Sequence, residues 1–215
     1  MQTESFKKKL YIARDVEGRS NSRELRVLRV LEEKLEIDPT FIGLAPYGSS
    51  FSGYNVEGSD IDVHALYDWP INSKTTERDI QNTKDVAKKI IEQQGIKIQL
   101  NVANINPDII NYLDSELIKD PNQYISVILC TLARIVTGKK ISHYRRLFSE
   151  WIKRLPTERR EEIIERTVDN LYKMDSATWD KRKERTKEIS DSDLVEILSE
   201  RKKMWRKRIS KIYGL

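Results

Sequence analysis

The chain has a single cysteine, Cys130, which excludes an intramolecular disulfide and any zinc cluster built on several thiolates. It lies in the apolar run VILCTLARIV, where a buried structural thiol is the ordinary reading. No apolar stretch is long enough to cross a bilayer. The first fifteen residues, MQTESFKKKLYIARD, carry lysines without a continuous apolar segment, so the expectation is a cytoplasmic protein without a secretory signal. Glycine and proline are sparse, at 8 and 6 residues, and fall singly between patterned segments. With no internal repeat or low-complexity tract, that distribution excludes a modular array.

What the chain has in abundance is charge: 34% of its residues are charged against 38% hydrophobic, the composition of a water-exposed globular protein. Its 215 residues are enough to bury a core without a partner. The net charge of +5 is uneven, because residues 139–215 hold 22 Lys and Arg against 14 Asp and Glu, whereas residues 1–138 hold 17 against 20. A basic back half is either a set of solvated helix faces or a surface that meets phosphates.

Hydrophobic spacing divides the chain into an α/β part and a helical part. Asn21, with Glu24 three residues on, can cap a helix to about residue 36 whose Leu25, Leu28, Leu31 and Leu35 share a face. Asp38-Pro39 stops it, and TFIGLAPYGSS reads as a buried strand running into a tight turn. A second strand is expected at about 60–67, a helix at about 76–94 closed by Gly95, and a third strand at IKIQLNV, residues 96–102, which alternates strictly. After Pro107 everything reads as helix. One begins at the Asp120-Pro121 cap and ends at Gly138, and others are expected at about 141–154, 157–174 and 191–212. The expected fold class is α/β (α+β): a small mixed-sheet core over 1–105 followed by a helical C-terminal lobe over 106–215.

The chemistry concentrates in SDIDVHALYD. Side chains alternate along a strand, so Asp60, Asp62, His64 and Leu66 share one face, the two aspartates about 6–7 Å apart at their Cα atoms. Like charges so close are unfavourable unless a cation neutralises them. An all-oxygen pair suits magnesium, which keeps several waters and takes further ligands from substrate phosphates. Ten residues earlier, the turn at Gly48, Ser49 and Ser50 ends the first strand and offers backbone N–H groups and hydroxyls to a polyphosphate.

The segment YGSSFSGYNVEGSDIDV resembles the core motif of the DNA polymerase beta-like nucleotidyltransferase superfamily: a hydrophobic strand, Gly-Ser, a spacer, then Asp-h-Asp with h apolar. The resemblance covers about 20 residues of motif, with a compatible strand order over about 100. It implies that Gly48 and Ser49 bind the β- and γ-phosphates of an NTP and that Asp60 and Asp62 ligate Mg2+ or Mn2+. A narrower resemblance, carried by GSSFSGYNVEGSDIDVHALYDWP, NPDIINYLDSELI and GKKISHYRRLFSEWI, is to the predicted nucleotidyltransferase family associated with RNA repair. The implied activity is transfer of a nucleoside monophosphate to an acceptor hydroxyl on an RNA end, a protein or a small molecule.

The resemblance has one gap. The superfamily usually adds a third carboxylate from a later strand, but the polar face of IKIQLNV shows Lys97, Gln99 and Asn101. Either an amide such as Gln99 stands in, or an acid such as Asp108 arrives from elsewhere, or the protein is a nucleotide-binding regulatory or antitoxin-like protein with little turnover. His64, and the group His143, Tyr144, Arg145 and Arg146, are further candidates for phosphate or base contacts or are simply structural. In the terminal run RKKMWRKRISK, Arg201, Lys202, Lys203, Arg206, Lys207 and Arg208 form either a solvated face or an RNA-binding surface.

Overall fold

The structure, a computed structural model, describes residues 8–9, 12–13, 22–48, 60–70, 77–94, 98–112, 119–134, 137–186 and 189–215. Helix α1 (Ser22–Leu35) leads into strand β1 (Phe41–Tyr47). Strand β2 (Ile61–Tyr67), helix α2 (Glu77–Gln94) and strand β3 (Ile98–Asn104) follow, and a 3-10 helix over Pro107–Tyr112 opens the helical part. That part contains α3 (Pro121–Ala133), α4 (Ile141–Lys153), α5 (Thr157–Thr186) and α6 (Asp191–Tyr213). The α+β class and the helical C-terminal lobe are as the sequence predicts. The caps expected at Asn21 and Gly95 lie outside the described residues.

The sheet is mixed, in the order β1-β2-β3. β1 runs antiparallel to β2, with Tyr47 opposite Asp62 and Ala45 opposite His64; β3 runs parallel to β2, with Gln99 beside Asp62 and Asn101 beside His64. Alternation sends the two faces of β2 to different cores. Ile61, Val63, Ala65 and Tyr67 pack with Leu28, Leu31 and Leu35 of α1 and with Ala87 and Ile90 of α2. On the opposite face Leu66 joins Ile42 and Ala45 in a second cluster with Leu129, Phe148, Val168 and Trp205, one from each of the four C-terminal helices. The lobe is therefore the third layer of a helix–sheet–helix stack, and the acidic pair is on its side.

Two helices end elsewhere than the sequence suggests. α3 stops at Ala133, not at Gly138, because Arg134 turns extended at φ −66°, ψ 176°. The C-terminal carbonyls this leaves are met by arginines: Arg145 donates from Nε to Leu132 O at 2.9 Å and from Nη2 to Arg134 O at 3.0 Å, and Arg208 donates to Ala133 O and Arg134 O. Cations at a helix C-terminus also oppose its dipole. Thr137 then forms a two-way backbone bridge with Leu44 on β1, each N···O 2.9 Å, and Gly138 at φ 136° lies too close to the Ile42 carbonyl to admit a side chain. α5 runs to Thr186 instead of about 174. No glycine or proline interrupts the added residues, and they bury Asp175, Trp179 and Arg182.

Asp175 anchors the lobe. Its carboxylate accepts from Arg201 Nε and Nη2, each at 2.8 Å, and from Trp205 Nε1 at 2.8 Å; the Arg201 and Asp175 side chains are 0% and 6% exposed. Arg201 also donates to the Ile12 carbonyl at 3.3 Å, tying the N-terminal segment to the lobe. Of the six C-terminal basic residues grouped by sequence, Arg201 is thus a core residue and Arg208 a helix-end cap, so neither belongs to an outward phosphate-binding face. Cys130 is buried as expected, its thiol pushed up to about 11 chiefly by desolvation. No helix among the described residues is long and apolar enough to cross a membrane.

Removing one partner of a buried bidentate pair strands the other charge, which typically costs about 3–5 kcal/mol. Asp175→Ala is expected to lose stability on that scale in urea denaturation, and an unchanged midpoint would show that the pair does not hold α5 to α6.

Candidate active site

Asp62 enters the site as the first polar side chain on the lobe face of β2. Tyr47 across the sheet and the left-handed turn at Gly48 lie beside it. Gly48 has φ 73°, and a Cβ there would overlap Oδ2 of Asp62. The turn and the acidic strand, separated in sequence by a spacer, are thus in van der Waals contact at the point where only a glycine fits. Asp62 is half-buried, and burial together with the neighbouring charge of Asp60 raises its carboxyl to about 6, while Lys181 opposes the shift. A carboxylate pair under that tension is a place where a cation lowers the energy. Ser49 and Ser50 lie outside the described residues.

Beside the acids sits a polar cluster the sequence did not assemble. The Tyr47 and His64 rings stack at 4.5 Å and 25°. Asn101 Nδ2 donates to the Tyr47 hydroxyl at 2.6 Å, and the Arg134 guanidinium lies over the Tyr47 ring at 5.3 Å. Arg134 Nη2 is 3.5 Å from His64 Nδ1. A guanidinium only donates, so in this contact Nδ1 is the acceptor, which favours the tautomer with the proton on Nε2. Burial, reinforced by the Arg134 charge, lowers His64 to about 4, and the imidazole is neutral at physiological pH. A ring neutral in that range is a poor base at physiological pH.

The third-acid question has a geometric answer for its two candidates. Gln99 is in register with Asp62 on the adjacent strand, with a side chain that alternation sends to the same face as the acids. Asp108 follows the far end of β3, beyond Asn104. At about 3.3 Å per residue the end of β3 at Asn104 is already about 15 Å from the level of Asp62, and Asn106 beyond it donates to the Trp69 carbonyl, so Asp108 does not join the acidic pair. Among the described residues no group of three or more His, Cys, Asp or Glu side chains gathers as a metal site.

Of the other candidates, Tyr144 is buried and donates to Asp68, and Arg145 serves the end of α3. Both are structural. His143 and Arg146 are exposed on α4. Arg134 and Lys181 had no assigned role in the sequence. Arg134 was legible only as a lone cation in an apolar run, and the charge of Lys181 is felt at Asp62 because α5 continues past residue 174. The chain matches no family model, no curated protein and no solved structure.

The overlap at Gly48 yields a direct test. Gly48→Ala forces the Asp62 carboxylate to move and places a side chain at a left-handed position that costs about 1–2 kcal/mol. The expected result is a folded protein, by circular dichroism, that has lost at least tenfold in affinity for Mn2+ in a calorimetric titration.

Proposed function

We propose that the chain is a metal-dependent nucleotidyltransferase of the polymerase beta-like kind, moving a nucleoside monophosphate from an NTP to an acceptor hydroxyl. The observation that carries this reading is the contact between the glycine turn and the acidic pair. A surface that binds a polyphosphate and a surface that binds a divalent cation are useful together only when adjacent, and here the Gly48 backbone touches the Asp62 carboxylate.

Asp60 and Asp62 would hold Mg2+ or Mn2+, whose chemistry is to neutralise phosphate charge and align the reacting oxygens. With just two carboxylates from the protein, the remaining ligand positions fall to water and phosphate oxygens, as a hard cation of this class prefers. Gly48, lacking a side chain, leaves its backbone open to the β- and γ-phosphates. His64, donating from Nε2, and Lys181 supply hydrogen bonding and positive charge on the same face. In the transfer the acceptor oxygen bonds to the α-phosphorus and the α–β bridging bond breaks. Pyrophosphate leaves with that electron pair, and the hydroxyl proton is released.

Gln99 favours a second reading. An amide in register with Asp62 cannot take up the acceptor's proton, and a protein that binds NTP and turns it over slowly, acting as a regulatory or antitoxin-like partner, would have this substitution. The two readings share a site and differ in rate.

Incubation with each α-labelled NTP, Mg2+ or Mn2+, and total RNA or cell extract tests transfer. Loss of one carboxylate removes several kcal/mol of transition-state stabilisation, so Asp60→Asn and Asp62→Asn should each lower transfer by about 100-fold or more while the fold persists. Label transfer at the wild-type rate by the double variant would overturn the site. Gln99→Glu separates the two readings, since a third carboxylate beside Asp62 should tighten Mn2+ binding about tenfold and raise a slow transfer rate. If wild type already transfers rapidly and Gln99→Glu slows it, the amide is part of a working site.

A further inference from the structure

α6 has two faces. Its inner face carries Leu194, Leu198, Arg201, Trp205 and Ile209 into the lobe. On its outer face Ser199, Lys202, Lys203, Arg206, Lys207 and Ser210 line a shallow groove of about 590 Å³. The cations form two rows. Lys202 and Arg206 lie toward α5 and pair with Asp169 at 2.7 Å and Glu165 at 2.6 Å. Lys203, Lys207 and Lys211, each four residues from the next, lie on the other side. Lys203 pairs with Glu200 of its own helix, at 2.7 Å; Lys207 and Lys211 have no ion-pair partner among the described residues. The row is continued by Lys153 at the end of α4, whose ammonium lies over Gly214 just past the end of α6.

We propose that this outer face of α6, with Lys153, binds the backbone of a single-stranded nucleic acid. Lys203, Lys207 and Lys211, about 6 Å apart along the helix, with Lys153 beyond its end at Gly214, form a linear array of four cations, which matches a linear polyanion better than a single phosphate. The ion pairs on the α5 side are solvent-exposed and worth at most about 1 kcal/mol each, so Lys202 and Arg206 can exchange carboxylates for phosphates at little cost. Lys202 also lies 5.2 Å from the centre of the Tyr172 ring, so an aromatic surface adjoins the groove, as in proteins that stack bases while cations track the backbone. The six groove-lining residues are all polar or charged, and the exposed apolar side chains nearest them are single ones, Val195 and Leu215 at the two ends of α6, too few to anchor the face in a membrane. This inference does not depend on the nucleotidyltransferase reading, because the face points away from the sheet and shares no residue with the acidic site.

The experiment compares wild type with Lys153→Gln/Lys203→Gln/Lys207→Gln/Lys211→Gln, all at exposed positions, for a fluorescein-labelled mixed-sequence 20-mer RNA and its DNA counterpart at several salt concentrations. Each lysine that no longer neutralises a phosphate should reduce the salt slope by about 0.7, so the four-site variant should bind at least tenfold more weakly at low salt with a slope lower by about two to three. Lys88→Gln/Lys89→Gln, on the exposed side of α2, should match wild type. Equal slopes for wild type and the four-site variant, no measurable oligonucleotide binding by wild type, or binding only to anionic phosphatidylserine vesicles would each overturn the proposal. Asp62→Asn should leave oligonucleotide affinity unchanged, so failure of the active-site reading and failure of this one give different results.

Discussion

β2 is the middle strand of its sheet, and both of its faces have to be covered. One face solves this with aliphatic side chains under α1 and α2. The other carries Asp62 and His64 before it reaches Leu66, so the lobe that covers it cannot be apolar throughout. The lobe packs its core against the Leu66 end, sets Arg134 against His64 and Tyr47, and places the charge of Lys181 where Asp62 feels it. Without a cation the arrangement costs energy at Asp62, whose carboxyl is held near 6. Polar groups on a central strand impose that cost wherever they occur, and it is tolerable here because a large apolar area is buried around them.

Three arginines distant in sequence meet at the end of α3. Arg145 and Arg208 fix the end of α3 through its carbonyls, and Arg134, the residue at that end, reaches to the stacked rings of Tyr47 and His64. The position of a site cation is thus set by α4 and α6, two helices that lie outside the site itself. Arg201 belongs to the same scheme one layer out, holding α6 to α5 through Asp175.

Much of this was legible in the sequence. The alternation in SDIDVHALYD placed the two aspartates and His64 on one face, and the strand boundaries for β1 and β2 follow from periodicity and flanking turns. What was not legible depended on contacts across the fold. The end of α3 is set by guanidinium groups 11 or more positions away, and the length of α5 by a buried Asp175 that sequence reads as one more surface charge. In RKKMWRKRISK every basic residue looks equivalent; a period of about 3.6 makes Arg201 a core residue and Lys203 a surface one, and the assignment requires knowing which stripe faces inward. The family resemblance rests on the motif and a compatible strand order, both read from the sequence.

The bridge between Thr137 and Leu44 has a consequence for how copies of the chain behave in a crowded solution. An uncovered strand edge is a template on which a neighbouring molecule can extend the sheet. On β1 the backbone N–H and carbonyl of Leu44 are already taken, in both directions, by a residue from the α3–α4 connection, and Gly138 brings that connection against Ile42 so closely that no side chain intervenes. A foreign strand approaching from this side would have to displace the lobe's own connection before making its first hydrogen bonds at Leu44, so the lobe protects the β1 edge from aggregation as well as covering the sheet's face.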